Sequence, residues 1–516
     1  MTENITNSVA DLVTTIKANY RSPIFLNGFH TPRAENWDRS AMKSEKYRAR
    51  RDRRKTYNWT QAQALEFILP QYNSHPGIAY WGGHGNDPYL FSLDTTKKVI
   101  GAAAGKKTVL IYPELEDQSD EFAFVMKGLI YPLAEHCQGR NANLFIRTKH
   151  IFWQAAVYMP SWSRLLSGEF SDVFIPAMEE TTDKSMELSL AARLGIWASG
   201  ATDAWGARCA RDNASFDRLR QHSHQMLPNH FLRTMVYSIS SGARYINNFP
   251  VDQDYMSLLW ELIAKGVLYV PKRSEIVSFS PVHLSMTAPD EHYINEGSNV
   301  KWTTFYDQDN EKNNPLVFSR LNGTWPGAPV TRWDFSRYAA GVKERRLNFL
   351  PPYEAGLVLI TPPQHGVFAA RNPPRGALTD HLHPLYDNIM KEYITDGRYY
   401  YSANRKQRYA ADEYCKIIET DIKNRAKLLP LTVSGNVAWV AAQTCANHLR
   451  LTLIDSGYIN PRARTATVQF RTVRPKRMTD LLNNEALDLS NPSAVEVDIP
   501  CGMFRFIDIE LKQDTD

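Results

Sequence analysis

Between residues 22 and about 290, short apolar runs rich in β-branched or aromatic residues alternate with longer stretches of helical periodicity. Each run gives way at once to a polar loop carrying Gly, Asp, Glu or His. The runs predict strands at Ile24–Phe29, Ile78–Trp81, Thr108–Tyr112, Leu144–Arg147, Val173–Ala177, Gly195–Ser199 and Arg244–Asn247. Uninterrupted apolar strands separated by helices predict a parallel sheet covered by those helices. Seven such units, with an eighth strand at Val282–Met286 or Gly356–Thr361, fit a (β/α)8 barrel. No G-x-G-x-x-G turn follows the first strand, which argues against a doubly wound dinucleotide fold.

Segment 295–350 is rich in Gly, Pro, Asn and Trp and has little periodicity, so it reads as a long loop region of the kind that usually carries function. Beyond a helix near Asp412–Leu428 the texture changes to period-two alternation. The runs are Leu431–Val433, Val437–Ala441, Leu449–Ile454, Ala466–Phe470, Ala494–Ile499 and Phe504–Leu511. Such runs, split by turn residues, predict an antiparallel β-sandwich. The expected fold class is therefore α/β: a (β/α)8 TIM barrel over residues 1–428, with loop insertions at about 31–70 and 295–350, then an antiparallel sandwich domain over 429–516.

Composition narrows the function. Lys+Arg 60 against Asp+Glu 55 gives a net charge of +5, too small in 516 residues for a global nucleic-acid binder. The 12 Trp, 25 Tyr and 22 Phe suit large cores or surfaces that stack on the C–H faces of sugars. Five scattered cysteines, never spaced C-x-x-C, predict neither a zinc site nor a disulfide framework. The first residues, MTENITNSVADLV, lack the basic start and apolar core of a signal peptide, and no apolar run reaches the roughly 20 residues that span a bilayer. The expectation is a cytoplasmic chain, or a trimmed form of an exported one, with no membrane partner.

In such a barrel the reacting groups stand at the C-terminal ends of strands. The strand reading places there NGFH (Asn27 to His30), GGHGND with His84 and Asp87 beside Trp81, and PELED with Glu114, Glu116 and Asp117. It adds Lys149 and His150, then Glu179 and Glu180, then Asp203, Trp205 and Arg208, and finally Asn247 and Asn248. Carboxylates facing one another across a pocket are what glycosidic hydrolysis needs, one protonated to release the leaving oxygen and one ionised as base or nucleophile. Glu179 directly follows the apolar strand DVFIPAM, where burial would raise its pKa as an acid requires, so it is the expected proton donor. Strand alternation turns Glu180 the other way. Asp203, among Gly200, Ala201 and Gly206, is the expected second carboxylate, with Glu114 the main rival for either role. Asn247, Asn248 and His84 would hold hydroxyls, and Trp81, Trp205 and Trp302 would stack on sugar rings.

Other chemistry fits less well. His222 and His224 fall in a helical stretch where residues two apart do not share a face, and His381 and His383 flank a proline turn without carboxylate partners, so no metal and no cofactor are expected. GAAAGKKT (Gly101 to Thr108) is a residue short of a phosphate loop and precedes a strand instead of following one. The run KYRARRDRRK carries seven basic residues from Lys46 to Lys55 against Asp52 alone. It reads either as a solvated face or as an anion site whose arginine forks suit sulfate, carboxylate or phosphate on a polymer. A polyanionic sugar fits better than nucleic acid, because the sandwich adds no matching basic face.

Two resemblances follow. The order of barrel, Trp- and Gly-rich loops and sandwich, ending HLRLTLIDSGYINPRARTATVQF and VEVDIPCGMFRFIDIEL, resembles the glycoside hydrolases whose barrels carry an accessory β-domain. The segments WGGHGNDPYL and PAMEETTDKSMELSLAARLGIWASGATDAWGARC resemble the lambda-carrageenase group, which hydrolyses a sulfated galactan. This chain is shorter than that group's members and lacks an export signal, and no motif carries the group's catalytic residues onto numbered positions. The expected function is a glycoside hydrolase acting on a polysaccharide or oligosaccharide, with a sulfated or anionic galactan implied by the resemblance. A metal-assisted hydrolase, a lyase, or a carbohydrate-binding protein with an inactive barrel are the alternatives.

Overall fold

The computed structural model describes residues 2–3, 14, 18, 23–115, 119–148, 153, 156–157, 159–179, 186–209, 227–248, 253–286, 350–362, 378–395, 399–401, 407–457 and 462–512. Parallel strands close into a ring in chain order: β1 (Thr2–Glu3), β2 (Asn27–Phe29), β3 (Gly77–Trp81), β4 (Lys107–Pro113), β5 (Ala142–Thr148), β6 (Phe174–Glu179), β7 (Gly206–Cys209) and β8 (Tyr245–Asn248). β1 pairs with both β8 and β2 and so completes a TIM-type barrel.

Register fixes which residues line the interior. Tyr245 Oη donates to Asn143 Oδ1 across non-neighbouring strands, a bond available only inside the ring. Side chains alternate along a strand and share a direction across the ladder. Arg147, Ala177, Gly206 and Tyr245 form one inward row, and Arg208 and Asn247 occupy the next row toward the C-terminal end. A Cβ on Gly206 would lie 2.5 Å from the Phe145 ring, so this row has no room for one. Helices surround the ring with ordinary caps. Thr60 and Gln63 make a reciprocal capping box before Gln61–Ile68, and Ser92 accepts from Thr95 N before Leu93–Gly101.

Two predicted strands are corrected. Gly195–Ser199 belongs largely to the helix Met186–Ala198, and the strand at that place in the barrel is Gly206–Cys209. The helix is apolar nearly all round because it is covered twice, and a Cβ on Gly195 would sit 2.0 Å from Ile360 O of the sheet beyond it. Neither proposed eighth strand joins the ring. Val282–Met286 and Ile360–Thr361 pair in a separate five-stranded sheet with Lys391–Thr395, Tyr399–Tyr401 and Arg408–Ala410, against which the helix Ala411–Arg425 packs. The insertion near 31–70 contains a short ribbon (Arg33–Glu35 with Thr56–Trp59) and the helices Glu45–Ala49 and Gln61–Ile68. Most of the 295–350 loop, Trp302 and Trp325 included, lies outside the described residues.

In the C-terminal region a three-stranded sheet (Leu431–Ser434, Arg464–Phe470, Ala494–Ile499) accompanies a larger one built on Val437–Cys445, His448–Asp455, Phe504–Leu511 and Pro475–Asp480. Trp439, Leu451, Val468 and Ile507 fill the core between them. The other face of the larger sheet is also apolar: Ala438, Val440, Ile454, Phe504 and Phe506 join the barrel's own core. Arg233 donates to Asp455 O at 2.7 Å and to Gly457 O at 2.5 Å, and Ser240 bonds Thr452, so polar contacts pin the same junction. Burial pulls the Arg233 guanidinium down to about 10 despite Asp455 beside it.

Candidate active site

The C-terminal mouth is built around one glycine-rich turn. After Trp81 closes β3, the chain runs Gly82, Gly83, His84, Gly85 and packs on the backbone that leaves β4. Gly85 N donates to Pro113 O at 2.8 Å, and a Cβ there would stand 1.8 Å from Glu114 O. A Cβ on Gly83 would meet Pro88 O at 2.2 Å, so two side-chain-free residues are required in a row of four. Glu114 itself has φ 56°, a left-handed conformation costly for a residue with a Cβ, and its N–H is held by Arg147 O at 2.9 Å.

This packing puts His84 Nε2 3.8 Å from Glu114 Oε2. The Asn86 N–H donates to His84 Nδ1 at 2.9 Å, so Nδ1 is an acceptor and the ring proton sits on Nε2, toward Glu114. The 3.9 Å approach of Asp52 to that same Nδ1 is therefore a neighbouring charge and not a bonded pair. His84 is buried, whereas the Glu114 side chain is 35% exposed and opens to the mouth. At that distance the imidazole is a polar neighbour of the partly open carboxylate and not a hydrogen-bond donor to it.

Trp81 is the hub of the same wall. His84 stacks on it at 5.4 Å and His30 tilts against it at 4.3 Å, while Arg54, Lys55 and Arg147 lie 5.7, 5.9 and 5.5 Å from its ring. At 8% exposure it has little face left for a sugar, so its role as an open stacking platform is corrected to that of a buried support. Asp87, also buried, takes a bidentate bond from Arg39 at 3.1 and 2.9 Å and one from Tyr57 Oη at 2.6 Å. It ties the inserted segment to the mouth and has no open edge for a ligand. Burial would raise the Asp52 carboxyl, but hydrogen bonds from the Arg54 side chain and backbone hold it below its ordinary value.

Opposite this wall, Glu179 ends β6 in register with Arg208, and Arg208 with Asn247 one strand over. Arg147, Arg208, Asn247 and Asn248 are all buried at this end. Among the described residues, the Asn248 amide and the Thr148 hydroxyl are buried without a hydrogen-bond partner, an arrangement that suits a ligand's hydroxyl groups. Lys149, His150, Glu180 and Trp302 lie outside the described residues, as do Glu116, Asp117, His222 and His224.

Asp203 and Trp205 are placed elsewhere. They precede β7, so they stand at the N-terminal end of the barrel, where Asp203 N bonds Ser171 O and Arg273 approaches the carboxylate at 3.4 Å. Trp205 is fully buried and donates to Ser241 O. The reassigned strand moves both residues to the opposite end from Glu114, and Trp205 has no face for a sugar. Sequence reasoning missed Arg39, Asp52 and Tyr57. The one available signal was Asp52, the lone acid in a basic run. Among the described residues no group of three or more His, Cys, Asp or Glu is arranged to hold a metal ion.

Residues 36–405 match the lambda-carrageenase middle domain and residues 432–510 the lambda-carrageenase C-terminal domain. A lambda-carrageenase of a Pseudoalteromonas species is 55% identical over 96% of this chain and 53% of its own length. That of Pseudoalteromonas carrageenovora is 53% identical over 99% of this chain and 55% of its own, so the chain spans about half the length of these relatives. Among solved structures, the catalytic module of a family 98 glycoside hydrolase from Streptococcus pneumoniae aligns over 94% of this chain and 92% of its own with a TM-score of 0.42 and 10% identity. The matched domains cover the barrel mouth and the sandwich together, and the chain belongs to the lambda-carrageenase family.

Proposed function

We propose that this chain hydrolyses glycosidic bonds of a sulfated galactan by two-carboxylate chemistry at the C-terminal mouth of the barrel. The observation that carries the reading is Glu114: a strained backbone and a close-packed glycine turn set a partly open carboxylate, with His84 Nε2 3.8 Å away, on the rim where β6 ends at Glu179. Glu179 is the proton donor to the leaving oxygen. Glu114 is the base or nucleophile, taking the place that the sequence alone gave to Asp203. Asn247 and Asn248 supply amides for sugar hydroxyls, and the names of the relatives point to a sulfated galactan as the polymer.

The test is product analysis on neutral, uronic and sulfated polysaccharides with wild type, Glu179→Gln, Glu114→Gln and Asp203→Asn. Cleavage of the sulfated galactan to new reducing ends with saturated non-reducing ends is expected, with losses of about 10²–10⁴ in kcat for the two glutamate variants and near-normal turnover for Asp203→Asn. Full activity in both glutamate variants would sink the assignment, and unsaturated end groups would mark a lyase. The anomer released reports the carboxyl separation, retention at about 5–5.5 Å and inversion at about 6.5–9.5 Å.

A further inference from the structure

The basic run from Lys46 to Lys55 is not a loose solvated face. Five of its seven cations are seated on rings: Lys46 and Arg50 over Tyr47, Arg51 over Tyr57, and Arg54 and Lys55 over Trp81 at the mouth. The segment is clamped to the barrel by the buried Arg39 and Asp87 pair and by the bond from Tyr57 to the same carboxylate. Its one acid, Asp52, is already engaged by Arg54, and Glu45 just before the run lies 3.6 Å from Arg48. Among the described residues no acidic side chain pairs with Arg50, Arg51 or Arg53, and Arg51 and Arg53 are exposed. Asp52 lies 3.9 Å from His84, so the run begins where the carboxylate site ends.

A rigid cluster of cations beside a catalytic mouth is a preformed anion-binding wall, because its ordering cost is met in the fold and not on binding. We infer that Arg51, Arg53 and Lys55 recognise sulfate esters on the substrate chain as it enters the mouth, making this segment the determinant that separates a sulfated galactan from its unsulfated counterpart. A sulfate ester offers three tetrahedrally arranged terminal oxygens sharing a negative charge that guanidinium forks and an ammonium engage, while a neutral hydroxyl brings no charge to the field. The inference rests on the proposed polysaccharide reading but is carried by binding, so the two can fail separately.

The experiment measures binding of a sulfated galactan oligosaccharide and its chemically desulfated form to Glu179→Gln protein by titration calorimetry, with and without Arg51→Gln/Arg53→Gln or Lys55→Gln. Expected are about tenfold weaker binding of the sulfated form for each set, a flatter dependence on salt concentration, and unchanged binding of the desulfated form. Lys55→Arg should restore most of the affinity, which a merely structural role would not predict. Equal losses for both forms, or no loss for either, overturn the inference. If the sulfated form binds as expected while the wild type cleaves no polysaccharide, the wall stands and the hydrolase reading falls.

Discussion

At the scale of single residues, burial sets chemistry that position alone does not reveal. His283 is buried with Glu392 at 3.9 Å, and burial pulls its imidazole down from an ordinary 6.5 to about 4. The folded chain thus refuses a proton that the unfolded chain accepts between those values, so this contribution is complete above about pH 6.5 and lost as pH falls toward 4. The span corresponds to roughly 3 kcal/mol. Urea denaturation at pH 7 and 4.5 should show the wild type losing more stability on acidification than His283→Gln, and equal losses would refute the account. The same scale explains what was legible at the site. Glu114, His84 and Glu179 follow apolar runs closely, so strand-end logic places them at the C-terminal ends of β3, β4 and β6. Asp203 was misplaced because one strand was, and Trp81 looked like an open platform because no local pattern shows the Arg54, Lys55 and Arg147 groups that cover it.

At the scale of elements, the runs that were read correctly are those whose β-branched or aromatic residues face both the ring interior and the helices, as in Thr108–Tyr112 and Leu144–Arg147. β7, Gly-Ala-Arg-Cys, has none, because its inward positions are a glycine beneath Phe145 and a buried arginine. The helix Met186–Ala198 concealed its type for the opposite reason: being covered on two sides, it has no polar stripe to reveal a 3.6-residue period. The turn Gly82 to Gly85 is an element whose job is approach. Gly85→Ala must push its methyl into Glu114 O, which should cost about 1–3 kcal/mol as overpacking and displace Glu114 from His84. The expected readout is a fall in kcat of tenfold or more with KM little changed. A variant that loses stability but keeps kcat would uncouple the turn from the carboxylate.

For the whole molecule, the decisive contact is between barrel and sandwich. Arg233 and Asp455 are both fully buried, and Arg464 shares the same carboxylate, so removing Arg233 leaves Asp455 with one cation but leaves the buried Asp455 and Gly457 carbonyls without their Arg233 donor. Arg233→Ala should destabilise by about 1–3 kcal/mol. Calorimetry of the wild type should give one cooperative transition, and the variant should separate into two as the junction weakens. Two transitions already in the wild type would show that the junction does not couple them. Alternation along Val437–Ala441 made the sandwich readable, yet the second apolar set on that strand, Ala438 and Val440, looked like ordinary strand residues. A sheet with two dry faces needs a second partner, and sequence periodicity gives no address for it.

That double-sided sheet also sets a timetable for synthesis. The barrel's strands and helices leave the ribosome before residue 429, but the patch that receives Ile454, Phe504 and Phe506 has nothing to cover it until the last strand emerges. At about 5–20 residues per second, the remaining stretch takes on the order of 4–17 s to appear. During that interval the nascent chain carries an apolar surface in water, an opportunity for chaperones and, in their absence, for neighbouring chains. Fragments cut near residue 429 would keep that exposure permanently, and self-association is the behaviour to expect from either half.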